Sequence, residues 1–216
     1  MIRPFGEAAF LVELGGVTRA QAVAASLRGA PVAGVTGVVA GRDSVLVEFE
    51  VEYADAVEAA IGARIAGIGD TPVVGGRLRR IPVVYGGPDL EDVAALGGLT
   101  ATQVVELHAS TELRVLFGGF APGFAYLGEL PEALTVPRLA TPRTRTPAGS
   151  VALAYGMSGI YPADLPGGWR VIGWTPLALF DAGRTPPAYL EPDDRVRFVP
   201  IDRSVADRHA GPAEDW

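Results

Sequence analysis

The chain has 216 residues, 49% hydrophobic and 20% charged, which describes a globular protein and not a disordered one. Its formal charge of −7 argues against nonspecific nucleic-acid binding, which needs a basic face to displace counterions. Cysteine and lysine are both absent, which removes thiol nucleophiles, disulfides, thiolate metal sites, Schiff bases and lysine-bearing phosphate loops.

The N-terminus, MIRPFGEAAFLVELGG, has no basic segment followed by a long apolar one, so no signal peptide is read. No run reaches the length of a membrane span, and a cytoplasmic location is expected. Residues 1–80 alternate strand and helix patterns. Phe10–Leu14 reads as a strand, and Thr18 is placed as the cap of a helix running through Arg28 with Ala22, Val23 and Leu27 on one face. Val35–Ala40 and Ser44–Glu50 form a hairpin across Gly41-Arg42-Asp43. Tyr53–Ala66 is helical by spacing, and Arg77–Tyr85 is another strand. This βαββαβ order predicts a small ferredoxin-like α/β domain over 1–80.

Pro82 and Gly86-Gly87-Pro88 mark the boundary, and a second domain is expected over 81–202. Two short helices open it: Asp89–Leu96, stopped by Gly97-Gly98, and a second begun by a capping box at Thr100–Gln103. Their second helix lacks the basic side chains of a DNA reader, so the pair is read as packing. Thirteen of the 18 prolines lie after Gly118, between short apolar runs at Arg114–Phe117, Ser150–Ala154, Val171–Ile172, Leu177–Phe180 and Arg195–Val199. Short strands with dense turn chemistry predict a closed or nearly closed β-barrel, so the fold class is α+β. Residues 203–216 are expected to form a loosely ordered tail.

The stretch from Phe117 to Thr175 crowds Gly, Pro and Arg together with single aromatics between them. No acid lies between Glu132 and Asp164, while Arg138, Arg143 and Arg145 do. Three guanidinium groups in a Pro-pinned segment make an anion clamp, because Arg binds carboxylate or phosphate bidentately. The alternative is that each neutralises an acid from elsewhere in the fold. Thr141, Thr144, Thr146 and Ser150 offer hydroxyls to the same ligand. Ser150 lacks the nucleophile-elbow spacing, so a turn or ligand role fits it better than a nucleophile. His108 is the only histidine inside the expected core and the acid–base candidate; the alternative is a histidine satisfied by a helix C-terminus or backbone carbonyl. With only His108 and His209, no metal site is expected.

GFAPGFAYLGELP, PRLATPRTRTPAGSV and GIYPADLPGGWRVIGWTPLALFD resemble the 5-oxoprolinase B-subunit family, whose members are also called allophanate hydrolase subunit 1, sporulation histidine-kinase inhibitor, or carboxyltransferase subdomains C and D. The resemblance covers about residues 80–200 strongly and the first 80 weakly. It implies a small α/β domain followed by a cyclophilin-like barrel, as the pattern also indicates. It implies partners, a homologous-looking C-subunit and an A-subunit of one complex. It also implies ATP shared with those partners, and the ATP-dependent opening of 5-oxoproline to L-glutamate by an enzyme inactive without them. Phosphorylation of the lactam oxygen would precede attack by water.

By resemblance, His108, Phe124, Tyr126, Arg138, Arg143, Ser150, Tyr161, Trp169 and Thr175 fall on the cleft. Arg145 joins the substrate-binding set with Arg138, Arg143, Ser150 and Tyr161, and Phe120 joins the partner or cleft surface. Departures from the family pattern stand at Ala125, Leu113, Met157, Ser158 and Trp174. The Met157 and Trp174 changes remove hydrogen-bonding groups. A second reading makes the barrel a regulatory module docking on a histidine kinase through exposed Phe120, Phe124 and Trp169. A third is allophanate hydrolase subunit 1, directed at another amide.

Overall fold

Alternating apolar residues set the N-terminal sheet. The structure, a computed structural model, describes residues 1–68 and 76–208, and the chain separates into two units, 1–75 and 76–216. In the first unit, β1 (Ile2–Pro4), β2 (Ala9–Glu13), β3 (Val35–Ala40) and β4 (Ser44–Phe49) form an antiparallel sheet of order β1-β2-β4-β3. Phe10 and Val12 on β2 and Val45, Val47 and Phe49 on β4 are buried two residues apart, as the period of a strand requires. Helices α1 (Val17–Gly29) and α2 (Ala54–Gly67) cover them with Ala20, Val23, Ala24, Leu27, Val57 and Ile61. Truncating Leu27 or Ile61 to Ala would cost about 2–5 kcal/mol.

Two expectations change here. Thr18 does not cap α1; Gly16 stands at the N-cap without a side-chain hydrogen bond. The last strand of the split βαββαβ pattern does not come from 77–85. Its place beside β2 is taken by the N-terminal β1, too short and too Pro- and Arg-bearing to show as a strand pattern.

Residues 78–85 instead form β5 (Leu78–Tyr85) of the second unit. Helices α3 (Leu90–Gly97) and α4 (Ala101–Ser110) follow. Gly98 takes the left-handed conformation, φ 66°, that ends α3. The Thr100 hydroxyl accepts from Gln103 N–H and the Gln103 side-chain carbonyl accepts from Thr100 N–H, so the capping box forms and contributes about 1 kcal/mol. Strands β6 (Leu113–Gly118), β7 (Ala125–Gly128), β8 (Arg143–Thr146), β9 (Ser150–Ala154), β10 (Met157–Ile160), β11 (Leu165–Gly167), β12 (Arg170–Trp174) and β13 (Arg195–Pro200) come next. Seven strands close a barrel in the order β10-β7-β6-β13-β5-β12-β9, with β13 and β5 parallel. β8 and β11 pair as a separate two-stranded ribbon.

The barrel has apolar packing on both faces of β9. Val151 and Leu153 point into the interior with Ile81, Val83, Leu113, Leu127, Ile172, Val196 and Phe198. Ala152 and Ala154 point the other way, into a cluster with Phe124, Tyr161, Trp169 and Val171. A strand buried on both sides reads as a continuous apolar run, and Ser150–Ala154 does. Tyr155 (φ 50°) and Gly156 (φ 75°) turn β9 into β10 as a two-residue hairpin. Leu177–Phe180 is not a strand; only Phe180 makes an isolated bridge, to Ala188. The tail expected to be loose begins as a short helix, α5 (Arg203–Arg208), with Ala206 buried; residues 209–216, and with them His209, lie outside the described residues. No helix among the described residues is long and apolar enough to cross a membrane.

Candidate functional site: two cavities on the barrel

The larger cavity holds about 340 Å³ and is lined by Tyr85, Arg143, Thr146, Ser150, Trp174 and Arg203, with Gly86, Gly87 and Gly173 among its backbone walls. Glycine at 87 is required, because a Cβ there would lie 2.5 Å from the Val171 carbonyl oxygen. Arg143 is fixed by Asp89, which stands at the N-cap of α3 but directs its carboxylate elsewhere. Asp89 Oδ1 accepts from Arg143 Nη2 at 2.7 Å, and Oδ2 accepts from the Val171 N–H at 2.7 Å. The Asp89 hydrogen bond raises the Arg143 pKa above the usual guanidinium value, so the charge is permanent. The other terminal nitrogen, Nη1, is buried with no hydrogen-bond partner. The Thr146 hydroxyl lies near the Tyr161 phenol but makes no hydrogen bond of ordinary geometry. Arg203 stacks over the Trp174 ring at 5.5 Å, and the Trp174 indole N–H donates to the Ala148 carbonyl at 3.0 Å. The lining carries two arginines, of which Arg143 is paired with Asp89 and Arg203 stacks on Trp174.

The smaller cavity holds about 110 Å³ and lies among Phe120, Phe124, Tyr126, Tyr161, Trp169 and Arg138. Its rings meet edge to face: Phe124 lies 5.5 Å from Tyr161 at 86° and 5.7 Å from Trp169 at 87°. Burial raises the pKa of the Tyr161 and Tyr126 phenols, with the charge of Arg138 opposing it in both, so they remain protonated donors. Arg138 rests over the Tyr155 ring at 5.7 Å and has no acidic partner among the described residues. The β8–β11 ribbon serves both cavities, with Arg143 and Thr146 lining the larger and Pro166 and Gly167 the smaller.

The cleft residues expected from sequence therefore divide. Arg143 and Ser150 stand in one cavity, and Arg138, Tyr161, Phe120, Phe124, Tyr126 and Trp169 in the other. The three arginines are not an unpaired clamp: Arg143 is bound to Asp89, and Arg145, 74% exposed, to Asp164 at 2.8 Å. Only Arg138 of the three lacks an acid among the described residues. Thr175 lines neither cavity; it is buried, and its hydroxyl accepts from the Leu177 N–H. Phe124 and Trp169 are buried, so of the three groups expected to form an exposed docking patch only Phe120 is on the surface.

His108 also lines neither cavity. It is fully buried on α4, stacked on Phe198 at 4.3 Å, with Nδ1 2.7 Å from the Tyr85 hydroxyl and Nε2 3.0 Å from the Ser158 hydroxyl. Burial lowers its pKa to about 3, so the ring is neutral at physiological pH, satisfied by two side-chain hydroxyls instead of backbone. Its link to the larger cavity is Tyr85 alone among these partners. Sequence reasoning missed Tyr85, Asp89 and Arg203. Asp89 had a visible signal, an acid just ahead of a helix, but its partner lies 54 residues away.

A closed seven-stranded barrel with helices beside it is the fold of a carboxyltransferase-type domain. The chain belongs to that family: the carboxyltransferase domain, subdomain C and D, matches residues 1–190. Proteins named as the B-subunit of 5-oxoprolinase are similar to it, at 57% identity over 132 residues in Escherichia coli O157:H7 and 43% over 159 residues in Bacillus subtilis (strain 168). These matches cover 60% and 72% of this chain and 61% and 65% of the relatives, so the chain spans less than two thirds of their length. The resemblance drawn from its motifs holds. Among solved structures, TTHA0988 matches with a TM-score of 0.78 at 34% identity, covering 90% of this chain and 40% of that one. The Kluyveromyces lactis urea amidolyase shares the fold, with a TM-score of 0.73 at 19% identity over 96% of this chain and 15% of its own.

Proposed function

We propose that this chain is one component of an ATP-dependent 5-oxoprolinase, acting in the cytoplasm with partner A- and C-subunits. The observation that carries the reading is the 57% and 43% identity to proteins named as the B-subunit of 5-oxoprolinase. In the reaction, the γ-phosphoryl of ATP would pass to the lactam oxygen as ADP leaves, water would add to the activated carbon, and the ring C–N bond would break to leave an acyl phosphate on the opened chain. A second water would cleave that acyl phosphate, giving L-glutamate and phosphate. A chain without lysine or a Walker-type loop fits a component that shares the nucleotide site. Its contribution would be guanidinium groups for the phosphoryl oxygens, Arg143 first, because preorganised positive charge stabilises the transferring group.

His108 would act through Tyr85 as a positioning residue, not as a group that touches substrate. Replacing Arg143 with Ala in the reconstituted assembly should abolish most phosphate release. The double variant Asp89→Asn/Arg143→Gln removes the orphaned charge and guards against simple misfolding. Full activity in that folded double variant would sink the role given to Arg143.

A further inference from the structure

We infer that the smaller cavity, not the larger one, is the binding site for a small ring carrying a carboxylate. The inference rests on the proposed function only in its choice of 5-oxoproline as first probe. Size comes first. About 110 Å³ is the room of about four waters, enough for one small ring and too little for a nucleotide.

Shape comes second. The T-shaped arrangement of Phe124, Tyr161 and Trp169 offers ring faces and edges to a flat guest. Charge comes third. Aromatic cages bind cations readily, but Arg138 repels one here and, having no acid among the described residues, supplies the counter-ion for a carboxylate. Arg143 in the other cavity already holds Asp89.

The backbone adds an independent sign. Phe120 sits at φ 70°, a conformation non-glycine residues avoid, with the residue 58% exposed and its ring edge-on to both Phe124 and Tyr161. Strain of this kind gathers at ligand sites, and here it holds an aromatic group against the cavity wall. Gly167 also lines the cavity, where a Cβ would overlap the Tyr161 hydroxyl.

Tryptophan makes the test cavity-specific, since Trp169 lines the smaller cavity and Trp174 the larger. The full chain carrying Trp174→Phe and Trp216→Phe leaves Trp169 as the sole reporter. Its emission is titrated with 5-oxoproline, benzoate and the neutral 5-oxoprolinamide. Saturable quenching by an acid, at least tenfold weaker for the amide and in Arg138→Gln, is the expected result. Equal binding of the amide, or no effect of Arg138→Gln, overturns the inference. Quenching by benzoate but not 5-oxoproline keeps the site and counts against the 5-oxoprolinase reading. Turnover of 5-oxoproline by the assembly, with no ring acid changing Trp169, keeps that reading and overturns the site.

Discussion

Arg143 and Arg138 leave the same basic segment and enter two different environments. Arg143 is clasped by the buried carboxylate of Asp89, which also holds the Val171 N–H, so one acid ties the α3 N-cap, β8 and β12 together. Arg138 rests over the Tyr155 ring and lines the aromatic cavity, with no acidic partner among the described residues. The first arginine is positioned and the second is available. The comparison teaches that an arginine's role depends on whether the folded chain brings an acid to it, which local spacing does not encode.

Breaking the Asp89 contact is the largest test of that contrast. Asp89→Ala leaves a partly buried guanidinium and a backbone N–H unpartnered, and should cost about 3 kcal/mol in urea unfolding. Truncation of the exposed Arg138 should leave the unfolding midpoint unchanged. Equal losses would erase the distinction between a positioned and an available arginine.

The next effect is pH dependence, through the burial of His108, whose ring nitrogens meet only the Tyr85 and Ser158 hydroxyls among the described residues. His108 stays neutral in the folded protein down to about pH 3, whereas the unfolded chain takes up a proton below about 6.5. Its contribution to stability is therefore complete above pH 6.5 and is lost as pH falls toward 3. The slope approaches about 1.4 kcal/mol per pH unit once the unfolded histidine is fully protonated. Unfolding midpoints between pH 7.5 and 4.5 should fall less steeply for His108→Gln. Parallel curves would remove His108 as the cause.

The smallest effect is expected at Arg145. Its partner Asp164 has its pKa lowered first by the Ala148 N–H and then by Arg145, and both side chains of the pair are exposed. Arg145→Ala should change neither the melting temperature nor the Trp169 titration, because exposed pairs contribute little. A clear loss of binding would return Arg145 to the site.

Much of the architecture was legible because its determinants are local. The Thr100–Gln103 capping box, the Gly41-Arg42-Asp43 hairpin and the doubly buried β9 announce themselves within a few residues. β8 and β11 did not, because Arg-Thr-Arg-Thr and Leu-Pro-Gly lack an apolar alternation and their pairing is set by distant contacts. β1 was hidden for the same reason. At the site, the aromatic and arginine residues stood out by type, but their division between two cavities depends on the ribbon, and the fate of Arg143 on an acid 54 residues away. Arg203 opens the polar tail, and nothing in its sequence neighbourhood signals that α5 places it over Trp174.

The central claim is tested most directly by measuring glutamate and phosphate release from 5-oxoproline and ATP. Partner subunits from the same source would be used, with this chain present or omitted. Release is expected only when this chain is present. No release from an intact, co-eluting assembly would contradict the claim.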